Sequence, residues 1–442
     1  MKTISNKSQL SLFEAPSPAS LRTKNADELK RQLKEFTDFG EKTRVIQTQV
    51  VLNSGRNLSV DTFVNEFWTA QQRRANSLHE ISYRACFKPQ LPRFFIDRFT
   101  VEMDTVYDPF MGRGTTVLEA ALLGRKPLGC DANPLSITLV SPRLTPPPIK
   151  EVADRLQEID FRFSESPPQE LLTFYHADTL QEICALRKYL LDKEHRRALD
   201  DVDAWIRMVA INRLTGHSSG FFSVYTLPPN QAVSVESQKR INQRRDQEPP
   251  RRSVPDLILR KSKDLLADFD DEVRWTLERS CKEMMLLTKD AASTPEIESS
   301  SVSLVVTSPP FLDIVDYESD NWLRCWFCGI DPKKQKLTVV KTLDKWKSAM
   351  TSVFRELERV LNPGGYIAFE VGEVRRGKIK LEEAVVPCGV SAGLQPVLIL
   401  INDQEFTKTS NCWGIRNRIA GTNTNRIVVF RKPGRRFARK AA

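Results

Sequence analysis

The chain has 442 residues, 40% hydrophobic and 28% charged, with 66 Lys and Arg against 56 Asp and Glu and a formal net charge of +10. That length exceeds one simple domain, the apolar content supports a large core and excludes wholesale disorder, and the basic excess suits a polyanionic partner. No run approaches the roughly 18 apolar residues of a membrane span, and Met1-Lys-Thr-Ile-Ser-Asn-Lys7 lacks a signal-peptide core, so the expectation is a cytoplasmic protein without membrane attachment.

In chain order, residues 1–60 read as a flexible tail and an amphipathic helix over Asp27-Glu-Leu-Lys-Arg-Gln-Leu-Lys-Glu-Phe36. A second helix is expected from Asp61, its cap, to Arg74. Further on, Lys88 opens a helix beside the first strand, after a loop able to cover a ligand. The stretch Val106-Tyr-Asp-Pro-Phe-Met-Gly-Arg-Gly-Thr-Thr116 is the centre of the chain. An apolar run ends at Asp108, and Gly112 and Gly114 allow a tight turn open to close approach by a ligand. Thr115 and Thr116 then start a helix that stops at Gly124. Strand, glycine turn and helix make the first unit of a nucleotide-binding α/β sheet. The next strand, Pro127-Leu-Gly-Cys-Asp131, ends on an acid suited to ribose hydroxyls.

Pro146-Pro-Pro148 marks a boundary, and residues 149–280 read as a largely helical insertion with helical spacing near 152–159, 180–191 and 204–214. Within it, Gly216 to Asn230 combines glycines, hydroxyls and aromatics without periodicity, as a loop held in a shape does. A basic tract follows, in which Arg244, Arg245, Arg251 and Arg252 are candidate phosphate contacts in a target-recognition region.

The sheet resumes near Met284 and reaches Asp290. Ser301-Val-Ser-Leu-Val-Val306 then delivers Thr307-Ser-Pro-Pro-Phe311. Two prolines fix this backbone and remove two donors, which leaves acceptors next to an aromatic ring: a set suited to a flat ring bearing an amine. Tyr317 is a candidate to enclose such a ring. Cys325 and Cys328 have Cys-x-x-Cys spacing without a second pair, and the four histidines show no ligand spacing, so no metal is expected. A helix over Lys345–Leu361, an Asn-Pro-Gly-Gly365 turn and strands at 366–372, 397–401 and 426–430 complete the sheet. The basic tail, 433–442, is an electrostatic aid.

With both motifs in hand, the chain resembles the S-adenosylmethionine-dependent DNA amino-methyltransferases. Asp108-Pro-Phe-Met-Gly-Arg-Gly-Thr-Thr116 matches their cofactor motif, and Thr307-Ser-Pro-Pro-Phe311 their catalytic motif. The resemblance covers residues 79–140 and 284–430. It implies a Rossmann-like α/β sheet with helices on both faces, in two parts, 61–148 and 281–432, around the helical insertion at 149–280. It assigns His79, Lys88, Asp108, Phe110, Gly112, Gly114, Thr115, Thr116, Asp131, Asn133, Asp290 and Thr307 to cofactor binding, and Ser308, Pro309, Pro310 and Phe311 to catalysis. The Ser-Pro-Pro form is most like the cytosine-N4 branch, with adenine-N6 as the alternative. Further rivals are transfer to RNA or to a protein amide, and a non-catalytic DNA-binding scaffold. The implied partners are double-stranded DNA and a cognate restriction endonuclease, with the chain a monomer or a dimer. The insertion sits earlier in the chain than the usual family pattern.

Overall fold

In the computed structural model the described residues are 22–23, 25–68, 75–83, 86–226, 233–310, 317–331, 342–374, 379–403 and 424–434. The apolar run into the glycine turn is strand β3 (Thr105–Asp108), and the run ending at Asp131 is β4 (Lys126–Asp131). The later runs form β5 (Met285–Thr288), β6 (Val302–Thr307), β7 (Leu361–Val371), β10 (Gln395–Asp403) and β11 (Thr424–Arg431). Two more strands, β1 (Arg44–Val51) and β2 (Asn57–Asn65), pair as a hairpin ahead of them. The nine form one sheet in the order β1-β2-β10-β11-β7-β6-β3-β4-β5. Neighbours from β7 to β5 are parallel, and β11 runs antiparallel to both β7 and β10. A two-residue ladder, β8 (Glu373–Val374) with β9 (Ile379–Lys380), lies apart from the sheet.

Strands β3, β4 and β5 step outward in one direction, and the chain then returns to place β6 on the other side of β3. That reversal is a topological switch point, where open α/β sheets form a crevice beyond the carboxyl ends of their strands. Both motifs named in the sequence leave strands at this point.

Helices cover both faces. On one face, α1 (Ala26–Glu35) and α2 (Gln90–Phe99) bury Leu29, Leu33, Phe94 and Phe95 against Val106, Leu304, Val306 and Leu400. The other face packs on α12 (Leu343–Val360) and α13 (Leu381–Ser391). Six side chains of α12 are buried, from Trp346 to Val360, worth on the order of 10 kcal/mol of apolar burial. Packing of that size, not intrinsic propensity, sets where this helix lies.

The glycine turn leads into α3 (Thr115–Leu122), and Asp131 leads into α4 (Leu135–Leu144). Beyond Pro148 the chain is helical: α5 (Ile149–Glu158), α6 (Ala177–His195), α7 (Asp201–Arg213), α8 (Val235–Arg245), α9 (Val254–Leu265) and α10 (Asp271–Ser280). Their buried residues share one continuous core with Val117, Leu118, Leu139 and Val140 of α3 and α4, and with α11 (Tyr317–Phe327). Cys325 on α11 and Cys328 just beyond its end are buried, and burial pushes Cys328 up to about 12. Among the described residues no cluster of three metal-ligating side chains occurs, and no helix is long and apolar enough to cross a membrane.

Over the described residues 61–68 the helix expected from Asp61 is not formed, and residues 69–74 lie outside the described residues. Asp61–Asn65 belongs to β2, and Asp61 accepts from Lys30 Nζ (2.6 Å) and Gln47 Nε2 (2.5 Å) in place of capping. Phe63 packs into the core on one face of the sheet, Val60 and Val64 into that on the other. A strand buried on both faces loses the alternation that marks it, while the spacing of Phe63, Val64, Phe67 and Trp68 imitates a helix. The sheet thus takes in residues 44–65, which the sequence reading gave to the tail and to helices.

Candidate active site at the switch point

The glycine turn is built from below by Asp108. Its Oδ1 accepts the Phe110 N–H (3.0 Å) and the Thr307 hydroxyl (2.6 Å). Asp108 is 1% exposed, and burial pushes its pKa up to about 7. Thr116 Oγ1 donates to the Val306 carbonyl (3.0 Å). These two bonds tie the cofactor motif at the end of β3 to the catalytic motif at the end of β6. Gly112 and Gly114 have φ of +49° and +76°, a region costly for residues with a Cβ.

Asp131, at the end of β4, reaches back to the turn. Gly112 N donates to Oδ2 (2.8 Å) and Asn133 N to Oδ1 (2.8 Å). Burial raises its pKa, against the pull of those backbone donors. Each oxygen keeps lone-pair capacity for a ligand hydroxyl. Asn133 Oδ1 accepts from Leu135 N (3.1 Å) and so starts α4. Next to it, Lys289 N donates to the Asp131 carbonyl (3.1 Å), which sets exposed Asp290 at the mouth of the same crevice; its Oδ1 accepts from Ala292 N (2.9 Å).

The segment ahead of α2 lies over the turn. Arg113 Nη1 donates to the carbonyls of His79 (3.4 Å) and Ile81 (2.8 Å), its Nη2 to Phe87 (3.5 Å) and its Nε to Thr115 Oγ1 (3.1 Å). A Cβ on Gly112 would sit 3.7 Å from the Tyr83 ring. Arg143 of α4, fully buried, donates through Nη1 to the Leu78 carbonyl (3.2 Å) and through Nη2 to that of Arg113; burial pushes its pKa down to about 9. His79 is buried with Nε2 2.8 Å from Glu119 Oε2, and burial lowers its pKa. Its ring therefore serves the wall behind the turn. Lys88 is exposed just before α2.

At the catalytic motif, Ser308 Oγ donates to Glu370 Oε2 on the neighbouring strand β7, and Asn425 Nδ2 donates to Oε1 (3.2 Å). Glu370 is buried, which raises its pKa, while the bonds from Ser308 and Asn425 oppose the rise. Trp346 Nε1 donates to the Pro310 carbonyl (3.1 Å), which uses one of that oxygen's two lone pairs. Thr307 likewise spends its hydroxyl on Asp108. Phe311 and the Tyr317 side chain lie outside the described residues.

The cleft thus joins Asp108, Phe110, Gly112, Gly114, Thr115, Thr116, Asp131, Asn133 and Asp290 to Thr307, Ser308, Pro309 and Pro310. Sequence reasoning missed Arg113, Arg143 and Glu370. The signal for the last two was present: a lone charge inside an otherwise apolar element. The arginines of the recognition candidate are elsewhere, in the helical part. Arg244 and Arg245 end α8, exposed. Arg251 is paired with Glu182 and lies 3.6 Å from Asp178, so its charge is offset there.

Comparison with known proteins adds independent support. A family model described as DNA methylase matches residues 18–140. The Type II methyltransferase M.BsoBI of Geobacillus stearothermophilus is 23% identical over 306 residues, 62% of this chain and 57% of that protein. The Type II methyltransferase M.MvaI of Kocuria varians is 30% identical over 97 residues, 21% of this chain and 20% of its own. These matches therefore span little more than half of the relatives' length at most. Among solved structures, a SAM-dependent methyltransferase of Methanosarcina mazei aligns at 10% identity and a TM-score of 0.31, over 76% of this chain and 95% of that one. The segment matched by the DNA methylase model takes in the glycine turn and Asp131, so over residues 18–140 the chain is similar to the DNA amino-methyltransferases.

Proposed function

We propose that the chain methylates the exocyclic N4 amine of cytosine in double-stranded DNA, with S-adenosylmethionine as methyl donor. The observation that carries this reading is the 2.6 Å bond from Thr307 to Asp108, which fixes the turn and the Ser-Pro-Pro segment side by side. The donor set fits an adenosyl ligand: a turn with glycine at 112, the Asp131 carboxylate for ribose hydroxyls and Asp290 for the adenine amine. When bound, the cofactor supplies an electrophilic methyl on a sulfonium.

An aromatic amine is a poor nucleophile because its lone pair is delocalised into the ring. Ser308 donates its hydrogen bond to Glu370, so its oxygen presents lone pairs to an amine hydrogen, with the Pro309 carbonyl as the second acceptor. Held by both, the nitrogen pyramidalises and its pair is localised for in-line attack. The bound donor would supply the methyl and take up the carbon–sulfur electron pair, with Ser308 and the Pro309 carbonyl aligning the nitrogen. The surplus proton passes from nitrogen to Ser308 Oγ as the serine proton moves to Glu370. A carboxylate with a raised pKa suits that task. Because the amine is paired inside a duplex, the base must first leave the stack. The relatives' Type II names suggest a cognate restriction endonuclease as companion.

The test is mass spectrometry of nucleosides from duplex DNA treated with the chain and S-adenosylmethionine. N4-methylcytosine is the expected product. N6-methyladenine would overturn the choice of base, and unmodified DNA the activity itself.

A further inference from the structure

We propose that a cavity in the helical part is a phosphate seat that takes one backbone phosphate of duplex DNA; this rests on the DNA-methylating reading above. The cavity measures about 330 Å³ and is lined by Ser218, Ser219, Tyr225, Arg245 and Arg252, with Glu248 the one acid among its lining residues. It is distinct from the cleft between β3 and β6.

The loop that forms its floor is pinned. Gly216 allows no Cβ, since one would meet the Phe221 ring at 2.3 Å. Thr226 N donates to the Gly216 carbonyl (3.0 Å), Phe222 N to that of Arg213 (2.8 Å) and Val224 N to that of Phe174 (2.9 Å). Arg213 stacks on Phe221, with Cζ 4.2 Å from the ring centroid. Of the two lining arginines, Arg245 is held at its guanidinium and Arg252 at its backbone. Arg245 lies over the Tyr225 ring at 3.8 Å and donates from Nε to Gln247 Oε1 (3.3 Å). Arg252 exchanges backbone bonds with Thr179 Oγ1 (2.8 Å each way), and its buried Nε has no hydrogen-bond partner.

One fixed guanidinium, a second whose buried Nε has no hydrogen-bond partner, and serine hydroxyls at the rim repel cations and match the oxygens of a phosphate. A polymer fits better than a small phosphorylated molecule, because Lys239, Arg240 and Arg244 continue the positive charge along exposed positions of α8. The seat also connects to the catalytic segment. Trp322, on the helix that follows the Ser-Pro-Pro loop, donates to the Val233 carbonyl just before α8 (3.3 Å) and packs edge-on to Phe174.

The experiment measures duplex DNA affinity across a salt series for the wild type, for Arg245→Gln with Arg252→Gln, and for Arg251→Gln. Thermal melting and S-adenosylmethionine binding check the fold. The double variant is expected to flatten the plot of log affinity against log salt by about 1, while Arg251→Gln leaves the slope in place. Ser218→Asp with Ser219→Asp, exposed and outside the pinned core, should weaken DNA binding if the arginine variant fails to fold. An unchanged slope in the folded double variant, or unchanged affinity in the serine variant, overturns the seat. Stabilisation of the wild type by inorganic pyrophosphate, with DNA slopes alike in all variants, reassigns it to a small phosphorylated molecule and overturns the duplex assignment. A wild type that does not bind DNA overturns the function reading and the seat with it.

Discussion

Replacing Gly114 with alanine tests whether the turn is built on backbone geometry. Its φ of +76° costs an alanine about 1–2 kcal/mol. The new Cβ would lie 2.4 Å from Cγ2 and 2.9 Å from Cγ1 of Val140, a fully buried residue of α4. Neither atom is the end of a flexible chain, so relief requires α3 and α4 to move apart, at about 1–3 kcal/mol for overpacking. The sum is about 2–5 kcal/mol, measurable by urea unfolding, with loss of S-adenosylmethionine binding in calorimetry. Val140→Ala removes both γ carbons. Alone it leaves a cavity and costs about 1–3 kcal/mol. Combined with Gly114→Ala, it should cost less than the two separate losses added together, by about 1–3 kcal/mol, because the two shortest contacts disappear and only a 3.2 Å contact with the remaining Cβ and the dihedral cost are left. Strict additivity would show that the Val140 contact is not the cause. A Gly114→Ala chain with wild-type stability and cofactor affinity would refute the argument as a whole.

Ser308→Ala with Pro309→Ala should abolish DNA methylation and leave S-adenosylmethionine binding largely intact by calorimetry; retained methylation removes the catalytic assignment. Glu370→Gln should slow methyl transfer by on the order of a hundredfold, and since burial holds the wild-type carboxyl above its usual range, the acid limb of the pH–rate profile should vanish in the variant. Equal rates and profiles would exclude the relay. For Asp108, the folded pKa of about 7 lies above the ordinary 3.8. Between those values the folded carboxyl keeps a proton that the unfolded chain sheds, so stability falls as pH rises through the window and is level above it. Asp108→Asn lacks that penalty, and its stability relative to wild type should grow from pH 4 to 7 by up to about 4 kcal/mol. A pH-independent difference in urea unfolding would contradict the buried-carboxyl assignment.

The parallel strands were legible because each is an apolar run that stops at chemically distinctive residues: Asp108, Asp131, Thr307. The helices from α5 to α7 were legible from spacing alone. What escaped has a common physical cause. Strand β2 is internal, between β1 and β10, so both its faces are apolar and its period is hidden. Glu370 looked like an interruption of a strand, because nothing in sequence says that Ser308 sits across the ladder from it, one residue beyond the Thr307–Phe369 pair. Sequence reasoning assigns Arg113 no role between its two glycines, yet it stitches three carbonyls of the covering segment.

The placement of the insertion explains why the site survives it. Residues 149–280 enter after β4 and α4, before β5, at the outer edge of the parallel run, where no strand of the β3–β6 pair is interrupted. Strands β4 and β5 still pair in register from Leu128–Met285 to Asp131–Thr288. The helices attach by extending the core of α3 and α4, the elements that follow the glycine turn and Asp131. Trp322 of α11 joins the helix after Ser308 to the segment just before α8 and to Phe174. Residues 199 positions apart can then share a 2.6 Å bond, because the sheet, not the chain order, decides which strand ends are neighbours.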